Sequence, residues 1–315
     1  MRTAALLLVL ASSLASQTPE KLFQERKLSE ARVAATAQLA TNKNDGGALY
    51  WMGRIANAQN KNDEAMDWLE KAVKADDKNA VYHLWLGNVV GNEAQNANTF
   101  RQPFLARRVK SEFERAVALD PTLIDARDGL ISFYQQAPGF MGGSNDKAHD
   151  QIAEVRKLNP YRGHFSAANY AMRDKDYAGA LKEYEAAIVL APDSVGAFYS
   201  IANVYRRQSK WEESFAAYDR IMKAKPDELV AHLGWGAVSA LSGTQYERGE
   251  RELRFFLTNA SLEKVGVQNL GGAHLRLGQI LEKTSRRDQA KSEYAEAVKI
   301  NPLNLEAKKA LDGLK

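Results

Sequence analysis

Five histidines stand out first in this sequence of 315 residues, because imidazole is the side chain best suited to metal ligation or general-base work near neutral pH. His83, His164, His232 and His274 each fall on the fourth position of a recurring segment, while His149 stands apart. A metal site needs several ligands converging on one centre. A residue type that recurs in phase with a repeating scaffold is instead carried along it, one copy per segment. The four in-phase histidines are therefore expected to pack at equivalent slots, and neither a metal nor a cofactor is expected. Carboxylates are plentiful, as in Glu212-Glu213 and Glu250-Arg251-Glu252, but alternating charge on helices predicts solvated faces. The glycines of Gly139-Phe140-Met141-Gly142-Gly143-Ser144 invite a phosphate loop. That motif requires a Lys-Ser/Thr after the last glycine and a strand before the first, and Ser144-Asn145-Asp146 supply neither. With no cysteine, no His-Glu-x-x-His and no Gly-x-Ser-x-Gly, nothing nominates a catalytic residue.

The elements that would carry these residues repeat. Gly53 and Gly87, Ala168 and Ala202, and Ala202 and Gly236 are each 34 residues apart, as are Pro192 and Pro226. Gly278 follows the same pattern, and Pro121, Pro160 and Pro302 close other units. Between small residue and proline runs a second motif, Ala65…Leu69…Ala72, Ala180…Tyr184…Ala187 and Ala290…Tyr294…Ala297. Each unit thus holds two stretches with helical apolar spacing, broken by a polar turn such as Asn60-Lys61-Asn62-Asp63. Small residues let paired helices approach, and the proline ends the second helix because it cannot extend the hydrogen-bond ladder.

This pattern resembles the tetratricopeptide repeat, a 34-residue helix–turn–helix unit. The resemblance implies an all-α fold, a right-handed α-solenoid of about seven repeats, with register 46–79, 80–123, 124–160, 161–194, 195–228, 229–270 and 271–304. Residues 16–45 read as a degenerate first repeat and 305–315 as a capping helix. No Gly/Ser-rich linker interrupts the array, so one domain is expected.

Two units depart from the period. Ten extra residues around Gly91–Arg108 predict a hairpin longer by about five residues per helix, roughly 7 Å, with Phe100, Phe104 and Leu105 packing against its own partner helix. Five extra residues at Ala137–Ser144 predict a shaped glycine turn, with Ser144 or Asn145 capping the helix that follows. Both stretches resemble a group of exported bacterial repeat proteins without a defined activity.

Export has its own signal. Met1-Arg2, the apolar Ala4–Leu10 and the small residues to Ser16 read as a secretory leader, residues 1–15, cleaved after Ala15. No later stretch has the roughly 18 apolar residues of a spanning helix. The net charge of +4 is too small to imply nucleic acid, so the expectation is an exported periplasmic or secreted protein without a membrane segment after cleavage.

What remains is a surface. In the repeat family the concave face is lined by first-helix positions two, five, nine and twelve. The fifth holds Tyr50, Leu84, Asp128, Phe165, Tyr199, Leu233 and Leu275; the ninth holds Arg54, Asn88, Ser132, Asn169, Asn203, Ala237 and Gln279. The family's clamp for a C-terminal carboxylate, Lys at five with Asn at nine, is missing from every repeat. Tyr50, Arg54, Asn88, Phe165, Asn169, Tyr199, Asn203, Arg206 and Gln279 are the candidate peptide-binding residues. Arg162, Arg173 and Arg207 border them. The expected function is a non-catalytic scaffold for a protein or peptide partner, with a glycan-binding or wall-remodelling role of the same groove as the alternative.

Overall fold

The computed structural model describes residues 17–314 and is built entirely from helices there; the leader read at residues 1–15 lies outside the described residues. The chain divides into two compact units, Met1–Ser166 and Ala167–Lys315. In the first, α1 (Pro19–Gln24) and α2 (Leu28–Thr41) precede three hairpins. These are α3 (Gly46–Ala58) with α4 (Asn62–Ala75), α5 (Ala80–Asn96) with α6 (Gln102–Leu119), and α7 (Ile124–Gln136) with α8 (Asn145–Leu158). Helix α9 (Pro160–Arg173) crosses the division and pairs in sequence with α10 (Tyr177–Leu190). The second unit continues with α11 (Val195–Arg207) and α12 (Trp211–Ala224), then α13 (Leu229–Ser242) and α14 (Tyr246–Asn259). It ends with α15 (Leu262–Lys283), α16 (Arg287–Ile300) and α17 (Leu305–Gly313).

The in-phase small residues act as read from the sequence. A Cβ on Gly53 would come within 2.6 Å of Leu69 Cγ, and one on Gly236 within 2.4 Å of Leu253 Cγ. One on Gly278 would come within 2.5 Å of the Tyr294 ring. Each glycine faces the large residue of the second-helix motif, so the helices touch backbone to side chain. Phe113 is held from two sides, by Gly87 of its own hairpin and Gly129 of the next. Burial of such rings and aliphatics supplies the stability: Ile55, Leu69, Trp235, Leu253, Phe256 and Tyr294 are all but inaccessible. The turns repeat as well. Arg26, Asn60, Lys175, Ser209 and Ser285 adopt positive φ, closing the short hairpins in the same way.

The long hairpin has helices of 17 and 18 residues, where the others mostly have 13 or 14. Its aromatics correct the sequence reading. Leu105 is buried, but Phe100 is 88% and Phe104 72% exposed, because the extension outruns the neighbouring hairpins and offers no second layer. In the 137–144 loop, Gly142 takes φ 100°, and a Cβ on Gly143 would lie 1.7 Å from the Ala137 carbonyl oxygen. Met141 and Gly143 donate to the Pro138 carbonyl, and Ser144 caps α8 through the Lys147 N–H at 3.3 Å. Phe140 stays 84% exposed.

The sixth stretch holds a feature the periodicity did not separate. Gly266, at φ 76° and ψ 164°, breaks α15 near its start, so residues 262–265 form a lead-in to the first helix of the last hairpin.

Candidate functional site

Three of the four in-phase histidines, His83, His232 and His274, are more than packing residues. His83 Nδ1 lies 2.6 Å from Glu112 and its Nε2 3.1 Å from the Asp77 carbonyl. His232 repeats this with Glu252 at 2.7 Å and the Pro226 carbonyl at 2.9 Å, and His274 meets Glu293 at 2.7 Å. Each ring pins the first helix of a hairpin to the second. Among the described residues no three potential ligands converge for a metal ion.

Of the carboxylates expected on solvated faces, Glu212 and Glu213 are exposed, whereas Glu250 and Glu252 are engaged within the fold. Glu252 is 8% exposed and accepts from Arg248 as well as facing His232. Burial opposes its charge, but the hydrogen bonds from His232 and Arg248 outweigh burial and hold its pKa below the ordinary range. Glu250 receives Arg286 at 2.5 Å and Arg254 at 2.9 Å, and the Arg286 hydrogen bond chiefly lowers its pKa. Arg248 also pairs with Asp219 on the preceding hairpin. In the first unit Arg32 meets Glu64 at 2.7 Å and Arg108 meets Glu70 at 2.6 Å. Second helices of successive hairpins are thus linked by arginine–carboxylate contacts. The signal lay in residues repeating on those helices, which alternation of charge alone could not resolve.

In the first unit, Tyr50 and Arg54 come together as neighbours one turn apart on α3. Arg54 Nη1 donates to the Tyr50 hydroxyl at 2.5 Å, and its guanidinium carbon lies 3.4 Å from the Trp85 ring centre. Phe23 at 5.0 Å, with Tyr50 and Trp51 at 5.5 Å, completes an aromatic enclosure. Tyr50 stacks on Tyr82 at 5.3 Å and is only 9% exposed, so its ring is largely a packing element. An open cleft of about 750 Å³ lies here, with Phe23, Trp51, Arg54, Asn79 and Tyr82 in its wall. Asn88, half-buried, has no side-chain hydrogen bond to another described residue. Phe165 packs against Tyr161 at 4.9 Å. Arg162 is taken up by Asp125 and Asp128, both at 2.7 Å. Its charge is answered within the fold.

In the second unit, Asn169 is exposed and its carbonyl oxygen accepts from the Tyr184 hydroxyl at 2.8 Å. Asn203, one repeat on, accepts from Arg206 at 2.7 Å. Both amides thus keep donors, while an acceptor is already engaged. Tyr199 is half-buried, edge-on to Tyr218 at 6.1 Å, and burial with the nearby Glu228 carboxylate pushes its phenol pKa up. Gln279 is engaged at both ends: its oxygen accepts from Arg276 at 2.8 Å and its nitrogen donates to Glu306 at 2.9 Å. Of the fifth-position residues expected on the open face, Leu84 is 4% and Leu275 2% exposed. They are corrected to core, Leu275 within an apolar cluster that includes Ile280, Tyr294 and Ala307.

Family models described as tetratricopeptide repeat match residues 22–86, 165–228 and 272–302, together about half of the chain. No curated protein matches. Among solved structures, the chain is similar to a tetratricopeptide repeat protein from Parabacteroides merdae ATCC 43184. Identity is 13%, over 85% of this chain and 98% of that one, with a TM-score of 0.52. Yeast Tom70 gives 12% identity and a TM-score of 0.68 over 92% of this chain, which spans 58% of that protein. Human IFIT1, in a dimer with PPP-AAAA, gives 17% identity, a TM-score of 0.55 and 94% and 71% coverage. At such identities the likeness is one of fold.

Proposed function

Because the chain belongs to the tetratricopeptide repeat family, we propose that it is a non-catalytic interaction scaffold holding an extended peptide of a protein partner along its first helices. Repeats of this family support protein interaction generally and are typically non-catalytic. The observation that carries the finer reading is the pair Asn169 and Asn203. They occupy the same slot one repeat apart, and each has its carbonyl held by a donor of the array, Tyr184 or Arg206. What each amide still offers is N–H, which complements backbone carbonyls of a bound chain. An extended segment advances ~3.3 Å per residue, so a few residues of a bound chain would reach from one repeat to the next. Tyr199 supplies apolar contact beside them, and exposed Arg207 favours acidic segments.

The leader-like segment 1–15 supports an exported setting for this partner. No helix among the described residues is long and apolar enough to cross a membrane.

Cross-linking in the native cell, with wild type beside the double variant Asn169→Ala/Asn203→Ala, tests the proposal. Two lost hydrogen bonds at about 1 kcal/mol each predict capture weaker by roughly ten- to thirtyfold. Undiminished capture, with cross-links mapped to second helices or to the 80–119 hairpin, overturns it.

A further inference from the structure

The insertions at 91–108 and 137–144 both lie in the first unit, and both carry phenylalanines that the fold leaves bare: Phe100, Phe104 and Phe140. Single exposed apolar residues are ordinary, but three rings on two neighbouring insertions are not scatter. The segments are neighbours because the 137–144 loop packs on α6. A Cβ on Gly142 would lie 3.6 Å from Lys110 Cδ, and Lys110 follows Phe104 by about 9 Å along the helix at 1.5 Å per residue. Each ring is presented by an ordered turn. Asn98 Oδ1 accepts from the N–H groups of Phe100 and Arg101 at 3.2 and 3.1 Å, and the Gln102 amide donates to the Ala97 carbonyl at 3.1 Å. The Phe140 turn is closed by the Pro138 carbonyl, which accepts from both Met141 and Gly143.

We propose that the tip of the long hairpin, with the Phe140 turn beside it, is a docking surface for the anionic face of a lipid bilayer. Arg101 and Arg107 stand three residues before and after Phe104, at the spacing that makes side chains neighbours on a helix. Arg107 is exposed and, among the described residues, has no ion pair. Arg101 shares only a surface contact with Glu93 at 3.3 Å, and its side chain is 58% exposed. Arg108 and Lys110 are answered by Glu70 and Glu114, so the free positive charge sits at the tip itself. Glu93 is the one acid between residues 91 and 110, and the 137–144 loop carries no charge. A guanidinium beside an exposed ring fits a membrane interface, where the ring enters the acyl boundary and the fork binds lipid phosphate. Size favours a bilayer over a folded partner. A stable protein interface covers about 800 Å² on each side around a contiguous apolar centre. Three rings on a hairpin end and a turn, with arginines among them, offer no such centre. No helix among the described residues is long and apolar enough to cross the bilayer, so the contact is peripheral and reversible. This surface is separate from the asparagine slots of the scaffold reading and does not rest on them.

Co-sedimentation of the full chain with lipid vesicles tests the proposal. Vesicles of phosphatidylcholine and phosphatidylglycerol, in about a two-to-one ratio, are compared with phosphatidylcholine alone. The mixed vesicles are expected to bind about tenfold more tightly or better, and to release the protein as salt is raised. Phe100→Ser/Phe104→Ser should weaken that binding by about tenfold or more with helicity unchanged, and Phe140→Ser by a few-fold. Arg107→Gln, expected to weaken it severalfold, serves if the double variant does not fold. Depth is read from Phe104→Trp, whose fluorescence should be quenched by lipids brominated on the acyl chains, beyond any quenching of wild type. Equal binding to both vesicles, or none to either, overturns the assignment. So does full binding by the folded serine or glutamine variants, or a Phe104→Trp signal quenched no more than wild type. Self-association through the tip, or cross-links from it to a protein, without vesicle binding would likewise overturn it. The Asn169→Ala/Asn203→Ala variant is expected to bind vesicles like wild type. Failure at the tip therefore leaves the scaffold reading intact, and loss of partner capture in that variant leaves the tip untouched.

Discussion

Arg54 and Gln279 occupy the same slot of their repeats, each directly after the small residue that lets two helices touch, and they meet opposite fates. In the second unit the slot is closed. Arg276 from the same helix and Glu306 from α17 saturate both ends of Gln279. In the first unit the slot is open. The surroundings of Arg54 are rings, its Nε has no acceptor, and a cleft lies beside it. The repeat sets where a side chain stands, while the residues brought by neighbouring helices decide whether its polar atoms are already used. A slot closed by the fold contributes stability; a slot left open keeps polar atoms that no other part of the fold uses.

The largest effect should come from the most closed polar cluster. Glu252→Ala leaves His232 and Arg248 facing a buried void, and the second unit is expected to lose about 3–5 kcal/mol in urea unfolding, as for a buried pair broken on one side. Gln279→Ala should cost less, about 1 kcal/mol, because Arg276 and Glu306 remain paired at 2.8 Å without it. Arg54→Met is the contrasting case. It removes an unanswered charge from an apolar enclosure, so unfolding should move by about 1 kcal/mol or less, and in the stabilising direction. A loss from Arg54→Met as large as that from Glu252→Ala would erase the distinction between open and closed slots.

Acid should weaken the closed side. Glu250, Glu252 and Glu306 have pKa values held below the ordinary 4.5, so their contribution is complete above that value and is lost as pH falls through the lowered folded values. Replacing Glu250 by Gln should flatten this acid limb while lowering the neutral plateau by about 1 kcal/mol or less, a change read from unfolding midpoints between pH 7 and 3. The smallest effect belongs to the exposed tip of the long hairpin. Phe104→Ser removes a side chain 72% exposed, and stability should stay within about 0.5 kcal/mol of wild type.

Much of the fold was legible because the repeat is enforced by contact. Gly53, Gly236 and Gly278 must be small where Leu69, Leu253 and Tyr294 are large, and that complementarity writes itself into the spacing of both motifs. The glycine turn was legible for a related reason, since Gly142 at φ 100° and Gly143 against the Ala137 carbonyl exclude most other residues. The candidate face was legible only as a set of positions. Leu84 and Leu275 belong to the core, Gln279 is engaged, and Phe100 and Phe104 are bare, and none of these outcomes follows from period.

Periodicity, a per-residue property that a linear chain records, determined by itself the helical class, the pairing of helices and the residues that must be small. Pairings between side chains 20 to 40 residues apart were decided only by the tertiary structure. His232 found Glu252, Arg286 found Glu250, and Arg54 found rings and no acid. The reason is that a hydrogen bond needs its partner within about 3 Å, and spacing along the chain brings a residue to the right face without saying what stands across from it.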